Sequence, residues 1–242
     1  MKAVPIIAID GPSASGKGTV AERVAAKLGF HYLDSGAIYR AAALAALQAG
    51  LDLAGAAEPI AALAGAMPLR FAGGAVWLGD ADVSRQIRSE ECGTSASRIA
   101  ALPAVRDALL ERQRAFAAAP GLVADGRDMA SVVFQSAALK VFLTAGVNER
   151  AWRRTAQLAT IPLNDAKGLI EKEKDAKLAI LFDSVLTDLQ ERDRRDAGRS
   201  AAPLKQVEGA KLLDTTQLSI DEAVARVLGW YREVSEAQAG AV

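Results

Sequence analysis

The chain has 242 residues, of which 51% are hydrophobic and 24% charged, and its 29 basic residues balance 29 acidic ones. This composition is typical of a globular protein with one α/β domain or a core with small insertions. The zero net charge argues against a general nucleic-acid binder, and a single cysteine, Cys92, excludes an intrachain disulfide or a cysteine-rich metal cluster.

The first residues, Met1-Lys2, lead directly into an apolar strand without a signal peptide. No apolar run approaches the roughly 20 residues that a membrane helix needs. We therefore expect a cytoplasmic protein that acts away from membranes and does not bind nucleic acid.

Alternating strands and helices open the chain. The predicted elements are a buried strand over Val4–Asp10, a helix over Thr19–Leu28, a strand over His31–Asp34 and a helix over Ala37–Ala49. This order predicts a parallel sheet with helices on both faces.

The pattern then changes to an antiparallel insertion at about residues 68–84. Leu69–Phe71 and Val76–Leu78 flank Gly73-Gly74, which is typical of a β-hairpin, and a third short strand is predicted at Asp82–Ser84. Helices are predicted over Ser84–Ala101 and Pro103–Ala118.

The parallel pattern resumes in the second half of the chain. The predicted elements are the strands Leu122–Asp125, Leu139–Thr144 and Leu212-Leu213, the helices Val147–Thr160 and Leu178–Arg199, a polar segment from Pro162 to about Lys177, and a last helix, capped by Ser219 and Glu222, that ends near Glu233. The tail Glu236–Val242 is expected to fray.

The segment Gly11–Thr19 reads Gly-Pro-Ser-Ala-Ser-Gly-Lys-Gly-Thr and lies between the first strand and the first helix. Backbone amides in such a loop surround phosphate oxygens, and the lysine reaches the outer phosphates. The residues predicted to hold a nucleotide's phosphates are Gly11, Pro12, Ser13, Ala14, Ser15, Gly16, Lys17, Gly18 and Thr19. Gly18 replaces the usual Ser or Thr, so Mg²⁺ is expected to be held largely through water.

Three further groups of residues could bind phosphates or the metal that accompanies them. Tyr39 and Arg40 follow the second strand on the first turn of a helix, at the strand end where open α/β sheets bind ligands. Asp125 and Arg127 end a later strand, where the acidic residue suits a magnesium-bound water and the arginine a phosphate.

The last group, Arg192, Arg195, Asp196 and Arg199, shares one helical face through its i, i+3, i+4, i+7 spacing. Three arginines on one face repel each other unless an anion neutralises them. A solvated charged helix, balanced by Glu191 and Asp193, is the alternative, and the spacing alone leaves both open.

Five segments together resemble the bacterial cytidylate kinases, a family of P-loop nucleoside monophosphate kinases. They are Gly11–Thr19, Asp34–Arg40, Asp125–Met129, Glu191–Leu204 and Asp214–Ile220. The resemblance covers nearly the whole chain and implies an α/β fold: a parallel-sheet P-loop kinase core with helices on both faces, a small antiparallel β insertion and a helical lid. It implies a single unit over 1–242, with a core of 1–36, 120–150 and 205–235, a monophosphate-binding region of 37–119 and a lid region of 151–200.

The resemblance also implies ATP and Mg²⁺ as cofactors, CMP or dCMP as acceptor, a role in pyrimidine nucleotide metabolism, and a monomer with mobile domains. The catalytic residues would be Lys17, Arg127, Arg192, Arg195 and Arg199. The acceptor would contact Ser35, Tyr39, Arg40, Ser97, Arg106, Arg127, Asp128, Arg192, Asp196 and Arg199, with Ser97, Arg106 and Asp128 facing the cytosine. Thr19 and Asp125 would bind the metal through water. Asp214–Thr216 would lie near the ATP base.

One departure concerns the segment between Arg154 and Arg192, which is longer than expected for the lid of this family. Two alternatives remain for the function. The acceptor could be UMP, AMP or a small hydroxy acid, or the chain could be a nucleotide switch that binds a partner protein. The absence of an Asn-Lys-x-Asp motif counts against a guanine-nucleotide switch.

Overall fold

The computed structural model describes residues 4–172 and 174–240. The strands are β1 (Ile6–Asp10), β2 (His31–Asp34), β3 (Leu69–Ala72), β4 (Ala75–Leu78), β5 (Ala81–Asp82), β6 (Leu122–Gly126), β7 (Leu139–Thr144) and β8 (Lys211–Asp214). The helices are α1 (Lys17–Leu28), α2 (Ser35–Gln48), α3 (Ala57–Ala66), α4 (Glu90–Ile99), α5 (Pro103–Arg114), α6 (Val147–Ala159), α7 (Leu163–Glu171), α8 (Ala176–Gly198) and α9 (Ile220–Gly240).

The main sheet has five parallel strands in the order β2-β6-β1-β7-β8. Its central strands are continuous apolar runs because both faces are covered. Helices α1 and α9 cover one face with residues such as Val24 and Val227, and α2 and α5 cover the other with Ile38 and Leu109. The predicted α/β fold with helices on both faces is confirmed.

The register of the sheet brings polar strand ends together. Asp34 pairs in register with Asp125, Asp10 with Gly126, and Thr144 with Asp214. Because the strands are parallel, these ends share one edge of the sheet, which is where ligands bind in open α/β folds.

The helices that leave this edge have well-defined starts. Gly16, with φ of 91°, precedes α1, and the Asp34 carboxylate caps α2 by accepting a bond of 2.9 Å from the Ala37 amide. The predicted capping box of α9 is present, since Ser219 and Glu222 bond each other's backbone amides.

The antiparallel insertion is present as a separate sheet of three strands, β3-β4-β5. Gly73 and Gly74 form the hairpin turn with positive φ, as predicted. The third strand ends at Asp82, earlier than predicted, because Val83 and Ile87 turn inward to pack with Val76 and Cys92 under α2. The Cys92 thiol is buried, as expected for a structural cysteine.

Several helical boundaries differ from the sequence prediction. The helix predicted over Ser84–Ala101 is shorter, because Ser89 adopts an extended conformation and caps α4 at Glu90. Helix α3 was not predicted and packs against α5. Helix α9 continues past Glu233 to Gly240; of the tail predicted to fray, residues 241–242 lie outside the described residues.

The segment 162–177 was predicted only as a polar, charged segment, without an assigned helix or strand, and most of it forms α7. Its Ala166 packs with Ala156 of α6 and Leu178 of α8, so these three helices have a small apolar core of their own. The Lys167 ammonium lies over the Trp152 ring and bonds Glu149 at 2.6 Å. The added length therefore builds a helical unit rather than a loop.

Within residues 4–172 and 174–240, no helix combines the length and apolar character needed to cross a membrane.

Candidate active site

A cleft of about 590 Å³ opens at the polar edge of the main sheet. Its volume is in the range of small-molecule sites. The predicted residues that line it are Ser13, Ala14, Lys17, Gly18, Thr19, Ser35, Tyr39, Arg40, Ser97, Arg106, Asp125, Arg127, Asp128, Arg192, Asp196 and Arg199. The fold therefore brings residues from five separate sequence segments to one cavity.

The loop Gly11–Thr19 forms one wall of the cleft. A Cβ atom built on Gly11 would lie 1.9 Å from the Leu143 carbonyl oxygen, so only glycine allows this approach to β7. Gly11, Pro12, Ser15 and Gly16 do not line the cleft and form the inner side of the loop. Thr19 is exposed at the rim.

Lys17 and Asp125 face each other in the floor of the cleft. The Lys17 Nζ is 3.9 Å from the Asp125 Oδ2, and the Tyr32 hydroxyl donates to the Asp125 Oδ1 at 2.8 Å. Burial lowers the pKa of Lys17 and raises the pKa of Asp125, and the neighbouring Asp34 raises the latter further. Burial thus disfavours the charged form of each group. A bound anion beside Lys17 and a bound cation beside Asp125 would stabilise those charges.

The opposite wall holds a buried donor and acceptor. The Arg106 guanidinium donates to the Asp128 carboxylate, and both side chains are almost fully buried. The Ser35 hydroxyl donates to the Gln113 Oε1 at 2.7 Å, which orients Ser35 at the start of α2. Burial raises the pKa of Tyr39 to about 12, so its hydroxyl stays neutral beside this pair.

Arg40 and Arg192 lie close to each other on the same side of the cleft. A Cβ atom built on Gly93 would be 3.4 Å from the Arg192 Nη1 and 3.8 Å from the Arg40 Nη2. Among the described residues neither arginine forms a salt bridge; each donates to a backbone carbonyl, of Ile87 and Gly93 respectively. Burial, Arg127 and Arg40 lower the pKa of Arg192 to about 10. This pair is therefore suited to an anion.

Asp196 joins two other cleft arginines. Arg127 donates through Nε to the Asp196 Oδ2 at 2.7 Å and through Nη2 to the Ser13 hydroxyl at 2.7 Å, while Arg199 donates to the other carboxylate oxygen. Although burial opposes it, Arg127 and Arg199 lower the pKa of Asp196. The phosphate loop, the loop after β6 and helix α8 thus meet in one hydrogen-bonded network.

Comparison with known proteins decides the family. The sequence model of the family described as Cytidylate kinase matches residues 7–233. A protein of Chromobacterium violaceum named cytidylate kinase is 55% identical over 95% of this chain and 96% of its own. The chain belongs to the cytidylate kinase family. Cytidylate kinases of Paraburkholderia phymatum and Polynucleobacter asymbioticus are 54% and 51% identical, over 94% and 96% of this chain and 93% and 98% of their own.

The resemblance that the five sequence segments predicted is thereby confirmed, and the chain is an enzyme, a kinase. ATP as co-substrate follows from the family, and a cytidylate kinase acts on small nucleotides.

One predicted catalytic residue of this cytidylate kinase family member is not at the cleft. Arg195 is partly exposed, and its Nε donates to the Glu191 carbonyl at 3.4 Å. At about 100° per residue, Arg195 lies about 60° around the helix from Arg192 and about 100° from Asp196. It therefore falls at the edge of the face that Arg192, Asp196 and Arg199 present to the cleft.

Two arginines of α6, Arg150 and Arg153, bond backbone carbonyls of the phosphate loop, a role that the sequence did not predict. Arg150 donates to the Ser13 carbonyl at 3.1 Å and pairs with the Asp193 carboxylate through two bonds of 3.2 and 2.5 Å. Arg153 donates to the Ser15 carbonyl at 3.2 Å and to the Thr215 carbonyl at 2.7 Å. The segment 214–216, predicted near the ATP base, is thus tied to the phosphate loop of the kinase.

Asp10, directly before the phosphate loop, is a second residue that the sequence analysis did not single out. Its two carboxylate oxygens accept the amides of Met129 and Ala130, each at 2.8 Å, and the side chain is buried. Since Arg127 and Asp128 directly precede these amides, Asp10 connects the two ligand-facing loops. An aspartate at the end of a buried strand was the available signal.

The raised pKa of Asp10 predicts how the free energy of unfolding changes with pH. Burial raises the pKa of Asp10 from 3.8 to about 6, although the amides of Ala130 and Met129 oppose this shift. The folded state therefore holds a proton between about pH 4 and 6 that the unfolded state has lost, and the contribution of Asp10 to stability falls as the pH rises through that window. A shift of this size corresponds to about 3 kcal/mol.

Denaturant unfolding of the wild type and of Asp10→Asn at pH 4 and pH 7 measures this. We expect the stability of the wild type relative to the variant to fall by up to about 3 kcal/mol from pH 4 to pH 7. A difference that is constant or grows with pH would contradict a raised pKa.

Some buried polar atoms of the cleft are available to a polar ligand. Among the described residues, Ser97 Oγ and Arg199 Nε are buried without a hydrogen-bond partner, and both residues line the cleft. A ligand with polar groups would satisfy them. Asp125 and Thr19 both line the cleft, and their side-chain oxygens are donors of the kind that Mg²⁺ prefers.

Proposed function

We propose that this enzyme transfers the terminal phosphoryl group of ATP directly and in line to the phosphate of CMP or dCMP. The observation that carries this proposal is the cleft with its two ends: a phosphate loop on one wall and, on the other, the guanidinium groups of Arg40 and Arg192, neither of which forms a salt bridge with a described residue. A buried donor–acceptor pair, Arg106 and Asp128, supplies recognition of a base.

Different residues of the cleft would bind the donor phosphates, the acceptor phosphate and the metal. Lys17 and the amides of the phosphate loop would hold the donor phosphates, and Arg40 and Arg127 would hold the acceptor phosphate. Mg²⁺, held through Asp125 and Thr19 largely by way of water, would neutralise donor charge. Phosphoryl transfer needs mainly positioning and charge neutralisation, so a site without a reactive histidine or cysteine is sufficient.

Helix α8 would belong to a lid over residues 151–200 that closes on the transferring group. Arg192 and Arg199 project from it into the cleft. Closure would exclude water and so limit hydrolysis of ATP. The insertion and the helices around it would form the monophosphate-binding region 37–119, and we infer a cytoplasmic monomer.

The base should be selected by hydrogen bonds to cytosine. Asp128 can accept from the cytosine amino group, and Arg106 can donate to its ring acceptors, whereas uracil reverses this pattern at two atoms. An unpaired buried group costs about 1–3 kcal/mol. We therefore expect kcat/KM for CMP to exceed that for UMP by at least about 10-fold.

The test is Asp128→Asn with the exposed Asp107→Asn as the matched control. The first variant should lose most of the preference for CMP over UMP, and the second should keep it. Equal kcat/KM for CMP and UMP in the wild type would contradict the assignment of the base site, and a preferred UMP, AMP or hydroxy acid would replace CMP as acceptor.

A further inference from the structure

The Tyr32 side chain contacts Asp125 in the cleft but belongs to none of the predicted groups of site residues. Tyr32 lies in β2, pairs in register with Val123, and packs its ring into the apolar layer beneath α1. Its hydroxyl donates to the Asp125 Oδ1 at 2.8 Å. The other oxygen, Oδ2, lies 3.9 Å from the Lys17 Nζ. The two carboxylate oxygens thus have different partners, the phenol on Oδ1 and the lysine on Oδ2.

The same hydroxyl lies in front of Gly18. A Cβ atom built on Gly18 would be 3.5 Å from the Tyr32 hydroxyl and 3.9 Å from the Asp125 Oδ2, both ordinary van der Waals distances. In most phosphate loops the residue after the lysine is Ser or Thr, and its hydroxyl lies beside the metal. Here the loop has no hydroxyl at that position, and the phenol of another strand occupies the adjacent space.

We propose that Tyr32 is a positioning residue for Mg²⁺-dependent nucleotide binding: it holds the Asp125 Oδ1 so that Oδ2 faces Lys17 and the metal's water, in place of a hydroxyl at position 18. The inference rests on the proposed function, because it takes ATP and Mg²⁺ as the ligands of this wall. Loss of a group that orients a metal-site carboxylate typically costs 10- to 100-fold in metal affinity.

The test compares Tyr32→Phe with the wild type by calorimetric titration with ATP, with and without MgCl₂. The variant keeps the ring and its packing and removes only the hydroxyl. We expect the gain in ATP affinity that Mg²⁺ supplies to fall by about 10- to 100-fold, while metal-free ATP binding changes less than about 2-fold. In the kinase assay, the Mg²⁺ concentration for half-maximal rate should rise in the same proportion.

Tyr231→Phe is the matched control, because that ring packs edge-on against Phe30 at 5.7 Å and does not line the cleft. It should leave both titrations unchanged. A second variant adds Gly18→Ser to Tyr32→Phe, and we expect it to recover most of the Mg²⁺-dependent affinity because the space at position 18 admits a side chain.

Three results would overturn the inference. They are an unchanged Mg²⁺ dependence in Tyr32→Phe, an equal loss of ATP affinity with and without Mg²⁺, and no recovery on adding Gly18→Ser. Failure of the proposed function is distinguishable, since it would appear as absent CMP phosphorylation by the wild type, whereas the ATP titrations need no acceptor.

Discussion

Lys17→Ala is expected to lower kcat by about 10²–10³-fold while the protein stays folded. The lysine follows Gly16, whose positive φ starts α1, and its ammonium projects into the cleft toward Asp125. A cation at this place would stabilise charge that develops on the outer phosphates during transfer, and that charge is greatest in the transition state. Its removal should therefore lower kcat more than it weakens ATP binding.

The matched control is Lys27→Ala, which removes an exposed lysine from the last turn of the same helix. It should retain the wild-type kcat, and circular dichroism should give the same helical content for both variants. A folded Lys17→Ala variant that keeps more than half of the wild-type kcat would contradict the role of the phosphate loop.

Arg192→Met is expected to cut kcat by about 10²-fold with a smaller change in KM for ATP. Among the described residues the one hydrogen-bond partner of this guanidinium is the Gly93 carbonyl, at 3.3 Å, and burial together with the charges of Arg127 and Arg40 lowers its pKa. The attraction between this arginine and the phosphates is strongest when they are closest. That is the case in the closed, reacting state. The melting temperature without ligand should change little or rise, because a repulsive charge is removed.

Arg194→Met, an exposed neighbour on α8, serves as the control and should keep the wild-type kcat. The contradicting outcome is an Arg192→Met enzyme with normal kcat and a clearly lower melting temperature without ligand. That result would make α8 a charged structural face, in which Glu191 and Asp193 balance the arginines.

The parallel sheet could be predicted because its strands are continuous apolar runs that end in polar residues. Val4–Asp10 and Leu122–Asp125 carry this pattern and form neighbouring strands. Helices α3 and α7 could not be predicted in the same way. Their stability comes from packing, as with Ala166 between α6 and α8, and short alanine-rich or polar segments carry little local signal for such contacts.

The candidate site was predictable wherever its residues follow strand ends or share a helical face. Asp34 and Asp125 are far apart in sequence but adjacent in the sheet, and both end strands that the sequence predicts. Arg195 shows that helical spacing alone does not predict every cleft residue. The i, i+3 relation to Arg192 places it only near the cleft-facing side of α8. The contacts of Tyr32 and Asp10 depend on which strands become neighbours, because Tyr32 bonds Asp125 at the end of β6 and Asp10 bonds the loop that follows β6.

The most direct test of this account is a coupled kinase assay that supplies ATP and Mg²⁺ with CMP, dCMP, UMP or AMP in turn, and with no acceptor. The account predicts rapid, stoichiometric formation of ADP and CDP with CMP, turnover with dCMP, at least about 10-fold lower kcat/KM with UMP, and little ATP consumption without an acceptor. ATP turnover that does not depend on any monophosphate, or that is equally fast with all of them, would contradict it.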